Sequence, residues 1–156
     1  MTADATSAMT GEVTVERFLD APRELVWRAW TEPARFAQWF GTPPFSTPES
    51  SVSMDVRPGG EWRATQVSEE DGTQLPFIGR YQEVAEPERL MFSFENPENR
   101  GDPNVEVVTL TLSERNGGTE MVLRQQGHLP QEQYRLLYEG YSRFFDRLEE
   151  YLKRSR

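Results

Sequence analysis

The chain has 156 residues, a length typical of one domain. Its 26 acidic residues outnumber its 17 basic ones, which gives a net charge of -9. A surface of that sign repels phosphate groups, so the composition argues against nucleic acids and anionic membranes as partners. Because the chain has no Cys and a single His, disulfides, thiol nucleophiles and multi-His zinc sites are excluded. We therefore expect no metal and no other cofactor.

The first ten residues are small and polar, which predicts a flexible tail, so we place a single domain at residues 11–154. These ten residues lack the basic start and the apolar run of a secretory signal. No stretch of the sequence approaches the roughly 18 apolar residues that a membrane span requires. Together these features predict a cytoplasmic protein.

The first third of the chain predicts a strand, two short helices and a loop. Residues 13–19 alternate apolar and polar side chains, as a half-buried strand does. Pro22 stands at the start of a helix whose apolar residues recur every three to four positions. A second short helix is expected at about residues 34–40, and three Pro predict a loop over residues 42–50.

The remainder predicts hairpin-linked strands and one long helix. Strands are expected at residues 52–56, 61–67, 77–84, 89–94, 105–113 and 119–126. Residues 131–154 carry apolar side chains at spacings of three and four, the pattern of a single helix face. Strands grouped in this way, with the helices set apart, predict an α+β fold with a curved antiparallel sheet of about six or seven strands. The long C-terminal helix is expected to lie across that sheet.

Aromatic residues are expected on both sides of the space between sheet and helix, because a twisted sheet curls and a single helix does not fill its width. The candidate ligand-binding residues are Trp39, Phe40, Trp62, Phe77, Tyr81, Phe92, Phe94, Tyr134, Tyr138, Tyr141 and Phe145. Aromatic walls with scattered hydroxyls are typical of small-molecule pockets. The same residues are also compatible with an ordinary packed core, and composition alone leaves both interpretations open.

Short motifs along the chain resemble, in the same order, those of the activator-of-heat-shock-protein-90-ATPase-like domains. They occupy residues 21–33, 36–41, 55–60, 79–90, 117–123 and 139–152. The resemblance implies the helix-grip fold of the START and Bet v 1-like (SRPBCC) superfamily, in which a curved sheet grips the last helix. It also implies a space that wider relatives use for lipids, hormones, polyketides or other apolar ligands, and so it favours the pocket interpretation.

The polar residues predict no catalytic set. The only His, His128, has no orienting partner in the sequence and is interpreted as a loop or capping residue. Residues 100–102 read Arg-Gly-Asp, which we interpret as part of a turn-rich loop. The charged strand residues are expected on the outer, solvated face of the sheet; they are Glu61, Arg63, Arg80, Glu83, Glu106 and Arg124.

Three functions follow from these observations, and the first is preferred. It is a binding module, without catalysis, that sequesters or carries an apolar, aromatic or polycyclic small molecule, as in self-resistance to a natural product. The second is an enzyme of the polyketide cyclase or aromatase kind, which requires a pocket residue with a perturbed pKa. The third is a chaperone-associated stress-response protein, which requires an exposed apolar patch elsewhere.

Overall fold

The computed structural model describes residues 11–155, and the predicted N-terminal tail lies outside this range. The strands are β1 (Gly11–Leu19), β2 (Phe45–Ser46), β3 (Ser53–Met54), β4 (Glu61–Ser68), β5 (Gln74–Ala85), β6 (Arg89–Phe94), β7 (Glu106–Arg115) and β8 (Gly118–Gly127). The helices are α1 (Arg23–Thr31), α2 (Pro33–Phe36) and α3 (Gln131–Arg154). The predicted α+β class, with two short helices after the first strand and a long final helix, is confirmed.

All eight strands belong to one antiparallel sheet with the order β1-β8-β7-β6-β5-β4-β2, and β3 also pairs with β4. The sheet therefore has one strand more than the sequence predicted. The additional strand is β2, whose two residues pair with Ser68 and Val67 inside the segment that was expected to be a loop. A two-residue pairing is too short to produce a hydrophobic period, so no local pattern marks it.

The second helix is shorter than predicted, because the chain continues after Phe36 in turns, with backbone hydrogen bonds from Gln38 to Arg35 at 3.1 Å and from Trp39 to Phe36 at 3.3 Å. The indole nitrogen of Trp39 donates to the carbonyl of Ala29 at 3.0 Å, which holds this turn against the preceding helix. Gly41 follows with a φ of 129°, a conformation that residues with side chains rarely adopt. The chain thus leaves the helical pair at Gly41 and starts toward β2.

Helix α3 lies closer to one edge of the sheet than to the other. Among the described strands, β1 is the one that α3 approaches most closely. Arg17 of β1 pairs with Asp146 at 3.0 Å and also with Glu149, and it donates to the carbonyl of Ser142 at 3.2 Å. The half of the sheet formed by β4, β5 and β6 is therefore farther from α3. None of the described helices has the length and apolar character needed to cross a membrane.

Candidate functional site

An apolar pocket lies where β4, β5 and β6 face the first half of α3. Its volume is about 460 Å³, within the range of roughly 300–1,000 Å³ that is usual for ligand sites. We call it the outer pocket; its lining residues are Phe40, Gln66, Pro76, Phe77, Phe94, Glu95, Pro97, Gln125, Leu129, Leu137, Gly140, Tyr141 and Phe144. Most of these side chains are aromatic or aliphatic, so the walls mainly offer apolar contacts.

A second and much smaller void, the inner pocket, lies deeper between the sheet and the helices. Its volume is about 30 Å³, enough for about two water molecules. It is lined by Trp30, Phe36, Trp39, Phe40, Met54, Trp62, Tyr81, Leu90, Phe92, Phe94, Tyr141 and Phe144. Four residues line both spaces and form an aromatic partition between them; they are Phe40, Phe94, Tyr141 and Phe144.

The rings around the inner pocket pack against one another. The rings of Trp30 and Trp39 meet edge to face with centroids 4.8 Å apart, and those of Trp62 and Phe92 do so at 5.6 Å. The indole nitrogen of Trp62 donates to the carbonyl of Ser93 at 3.0 Å, which locks the ring in place. This part of the predicted aromatic space is a closely packed core, as the alternative interpretation of the sequence expected.

The structure divides the predicted site residues among three places. Phe40, Phe77, Phe94 and Tyr141 line the outer pocket. Trp39, Trp62, Tyr81, Phe92 and Phe145 lie in the packed core, and four of them, all except Phe145, also line the inner pocket. The two remaining residues, Tyr134 and Tyr138, line neither pocket.

Tyr138 lies elsewhere than predicted. Its side chain is 49% exposed and borders a shallow surface depression beside Glu12 and Arg135. Leu137 takes the inward position instead and lines the outer pocket. Successive residues of a helix point about 100° apart, so the neighbour of an inward residue turns away from the sheet.

Tyr134 and Tyr141 belong to a polar network at one end of the outer pocket, centred on Glu106. The hydroxyl of Tyr134 and the side-chain nitrogen of Gln125 both donate to Glu106 Oε1, at 2.8 Å and 3.0 Å. The backbone nitrogen of His128 donates to the other carboxylate oxygen at 2.8 Å. The hydroxyl of Tyr141 donates in turn to the side-chain oxygen of Gln125. The network thus connects the partition with the loop before α3.

The inward position of Glu106 corrects the prediction that this residue faces solvent. Glu106 shares its strand parity with Val108, Leu110 and Leu112, which are all buried, so the alternation itself carried the signal. Gly127 makes room for the carboxylate, because a Cβ at this glycine would lie 1.9 Å from Glu106 Oε2.

The protonation of the two tyrosines determines how this network is oriented. Burial raises the pKa of Tyr141 above its usual value of 10, and burial together with the hydrogen bond to Glu106 raises the pKa of Tyr134 to about 12. Both hydroxyls therefore carry their protons at neutral pH and donate them. Since a carboxylate only accepts, Gln125 turns its nitrogen toward Glu106 and its oxygen toward Tyr141.

Gln66 is a polar lining residue that the sequence interpretation overlooked. It follows Trp62 and Ala64 on the inward face of β4 and is only 4% exposed. Its side-chain nitrogen is buried and has no hydrogen-bond partner within residues 11–155. The signal was again the period of two, which puts Gln66 on the face of Trp62.

Ion pairs hold the loop of residues 96–104 beside the outer pocket. Arg100 donates to Glu61 at 2.6 Å and to Glu95 at 3.1 Å, and Arg80 pairs with Glu95 at 3.2 Å. Glu95, whose side chain is 9% exposed, lines the pocket with its charge balanced by two guanidinium groups. The Arg-Gly-Asp stretch therefore contributes an anchoring arginine to the loop.

The part of the chain that the structure describes contains no group of three or more His, Asp or Glu side chains arranged to hold a metal ion. Arg63 and Arg124 lie in exposed pairs with Glu61 and Glu12, in agreement with the outer positions predicted for these arginines.

Comparison with known proteins identifies the family. The model of the family described as Activator of Hsp90 ATPase homolog 1-like protein matches residues 20–153. The chain belongs to this family. Its sheet and long final helix have the helix-grip architecture that the sequence motifs implied. Among curated proteins, none matches the sequence significantly.

Solved structures of several bacterial proteins share this fold. A protein from Nitrosomonas europaea is 29% identical, with a TM-score of 0.77 over 92% of this chain and 95% of its own. One from Chromobacterium violaceum is 26% identical, with a TM-score of 0.77 over 90% of this chain and 96% of its own. An AHSA1-like protein from Aeromonas hydrophila, 20% identical, has a TM-score of 0.74 over 92% and 93% of the two chains and supports the fold alone.

Proposed function

We propose that this protein binds an apolar, aromatic or polycyclic small molecule in the outer pocket and sequesters or carries it. The observation that carries the proposal is the pocket itself, a volume of about 460 Å³ beside a core that is otherwise closely packed. The family's fold, a sheet closed by a long helix, supports a ligand-binding module. Sequestration of a natural product for self-resistance is the most specific form of this proposal.

Affinity for such a ligand would come mainly from apolar burial. Phe77, Leu137 and Phe144 are only partly buried in the protein itself, so their faces toward the pocket are available to a guest. Removing apolar surface from water contributes about 25 cal/mol per Å² before the costs of association are subtracted. Ring systems suit these walls because aromatic pairs gain further stabilisation from edge-to-face contact.

The polar groups of the outer pocket support binding over catalysis. Tyr141 keeps its proton at neutral pH because burial raises its pKa, so it is a poor base. Its proton is already donated to Gln125. His128 is not among the lining residues, and its backbone nitrogen is bonded to Glu106. The groups near the pocket are thus suited to orienting a ligand more than to transferring protons.

Filling the outer pocket from α3 tests the proposal. We expect Leu137→Trp to place an indole in the pocket and to weaken the binding of Nile red, a neutral polycyclic dye, by at least about tenfold. The matched control is Leu136→Trp, since Leu136 is 54% exposed on the outer side of the same helix. Dye fluorescence measures affinity, and circular dichroism confirms that both variants fold. No dye binding by the wild type, or equal loss in both variants, would contradict the proposal.

A further inference from the structure

The four rings of the aromatic partition differ in how firmly the protein holds them. The ring of Phe40 is buried, stacks on Phe36 with centroids 4.5 Å apart and meets Phe77 edge to face at 5.3 Å. The ring of Phe94 packs against Trp62 at 5.3 Å. Neighbours in α2 and in the sheet therefore fix both of these rings.

Phe144 is the least restrained member of the partition. The residue is only partly buried, and within residues 11–155 its ring pairs with Phe40 at 5.4 Å and with Tyr141 at 6.3 Å. Tyr141, by contrast, is buried and donates its hydroxyl proton to Gln125. Because a phenyl ring has no hydroxyl for such a bond, apolar contacts hold the Phe144 ring between the two pockets.

Phe144 also ends the stretch of α3 that lines the outer pocket. The lining residues of this helix are Leu137, Gly140, Tyr141 and Phe144. Gly140 leaves space beside the helix, since a Cβ there would meet no described atom within 4 Å. Four residues later, about 6 Å along the helix axis, the ring of Phe144 stands between the outer and inner pockets. A guest that extends along α3 therefore meets this ring.

The charges around the pocket favour a neutral guest. Glu95 is the one charged residue among the described lining residues, and it is paired with Arg80 and Arg100. No Lys or Arg is among those lining residues, so a ligand carboxylate would be buried without a counter-charge. Neutral molecules are therefore the class of ligand whose length Phe144 can select.

We infer that Phe144 determines the specificity of the outer pocket by limiting how far an elongated, neutral aromatic molecule extends along α3. This inference rests on the proposed function and adds to it the residue that selects ligand length. A guest that reaches the ring gains apolar contact with each added group, whereas a longer guest must displace the ring or leave its end in water. Truncating Phe144 joins the inner pocket of about 30 Å³, and the volume of the ring itself, to the outer pocket.

A homologous series of fluorescent probes tests the inference. The probes are 2-(dimethylamino)naphthalenes with an acetyl, propionyl or hexanoyl group at position 6, so they are neutral and differ only in chain length. We expect the wild type to bind the hexanoyl probe no more tightly than the propionyl probe. In Phe144→Ala we expect the hexanoyl probe to bind at least about tenfold more tightly than in the wild type, because each further buried methylene strengthens binding about fourfold. Affinity for the acetyl probe is not expected to rise. Probe fluorescence measures the affinities.

The matched control is Phe77→Ala. It removes the same side chain from the outer pocket, but Phe77 does not line the inner pocket. We expect this variant to weaken the binding of all three probes by a similar factor, because one wall contact is lost. Phe144→Leu is a milder truncation that is expected to favour the hexanoyl probe by a smaller factor. It provides the same test if circular dichroism shows that Phe144→Ala does not fold.

A structural readout distinguishes a longer pocket from a general loosening of the core. Trp30 and Trp62 line the inner pocket and not the outer one. In Phe144→Ala we expect nuclear Overhauser contacts between the terminal methyl group of the hexanoyl probe and these two indoles. In the wild type we expect none, because the Phe144 ring keeps the chain out of the inner pocket.

The outcomes separate the inference from the proposed function. The role of Phe144 would be overturned, and an apolar binding pocket would remain, if neither Phe144 variant favoured the hexanoyl probe, if Phe77→Ala favoured it equally, or if the indole contacts were absent in Phe144→Ala. Failure of the wild type to bind the acetyl and propionyl probes would overturn the proposed function and the inference with it.

Discussion

The inner and outer pockets share one sheet and one aromatic partition, yet the first is almost filled and the second is open. On β4 the inward positions near the inner pocket carry Trp62 and Ala64, whereas those toward the other end carry Gln66 and Ser68. On α3, Gly140 faces the outer pocket without any side chain. The same backbone layers therefore enclose either a core or a pocket, and the volume of a few side chains decides which.

The position of α3 explains why side-chain volume has this influence. The helix is tied to β1 through Arg17, so its distance from the sheet increases toward β4 and β5. Near β1, ordinary side chains span the gap. Near β4, the ring of Trp62 packs against Phe36 of α2 and against Phe92 and Phe94 of β6, so rings other than those of α3 fill the space there. A helix that leans on one edge of a sheet leaves space at the other edge.

The largest loss of stability is expected when the side chain of Trp62 is removed. Trp62→Ala deletes a ring that contacts Phe36, Phe92 and Phe94, and it leaves the carbonyl of Ser93 without its donor. Such truncations in packed cores cost about 3–5 kcal/mol. The matched variant is Phe77→Ala at the outer pocket, where we expect a clearly smaller cost because the ring is only partly buried. Urea unfolding followed by circular dichroism gives both values, and equal costs would remove the distinction between the two regions.

A gain in stability is expected from a substitution at Gly140. A Cβ at this position meets no atom within 4 Å among the described residues, so alanine fits without displacing anything. Glycine inside a helix is less favourable than alanine by about 1 kcal/mol, and Gly140→Ala is expected to raise the free energy of unfolding by that amount. Thermal and urea unfolding measure it. A loss of stability would show that the space next to α3 is smaller than the structure indicates.

The smallest effect is expected at the loop beside the outer pocket, and it depends on pH. Hydrogen bonds from Arg100 and then Arg63 hold the pKa of Glu61 below its ordinary value of 4.5. The stabilisation from this carboxylate is therefore complete above about pH 4.5 and is lost as the pH falls through the lowered pKa.

The variant Arg100→Gln removes the hydrogen bond that contributes most to the lowered pKa of Glu61. We expect the pKa of Glu61, followed by carboxyl carbon NMR, to rise toward 4.5, and amide exchange in residues 96–104 to become faster. Arg135→Gln, which breaks an exposed pair on α3, is the control. An unchanged Glu61 titration would mean that Arg100 does not anchor the loop.

The helices and strands whose apolar residues recur at a regular spacing were predictable from the sequence, and those without such a pattern were not. The alternation in β4, β7 and β8 and the apolar face of α3 lie in consecutive residues, so each is visible locally. The short strand β2 depends on a partner in β4 that lies some twenty residues away. For the same reason, the partnering of Tyr134 with Glu106 has no signature in either segment alone.

The sequence by itself determined the α+β class, the family and the aromatic richness of the interior, because periodicity, composition and short motifs are properties of neighbouring residues. Only the tertiary structure decided which aromatic rings pack together and which border an opening. It also turned Gln66 and Glu106 inward. The side-chain nitrogen of Gln66 has no hydrogen-bond partner among the described residues, whereas the carboxylate of Glu106 accepts hydrogen bonds from its neighbours. These outcomes depend on how far α3 lies from each strand, a distance that no local pattern encodes.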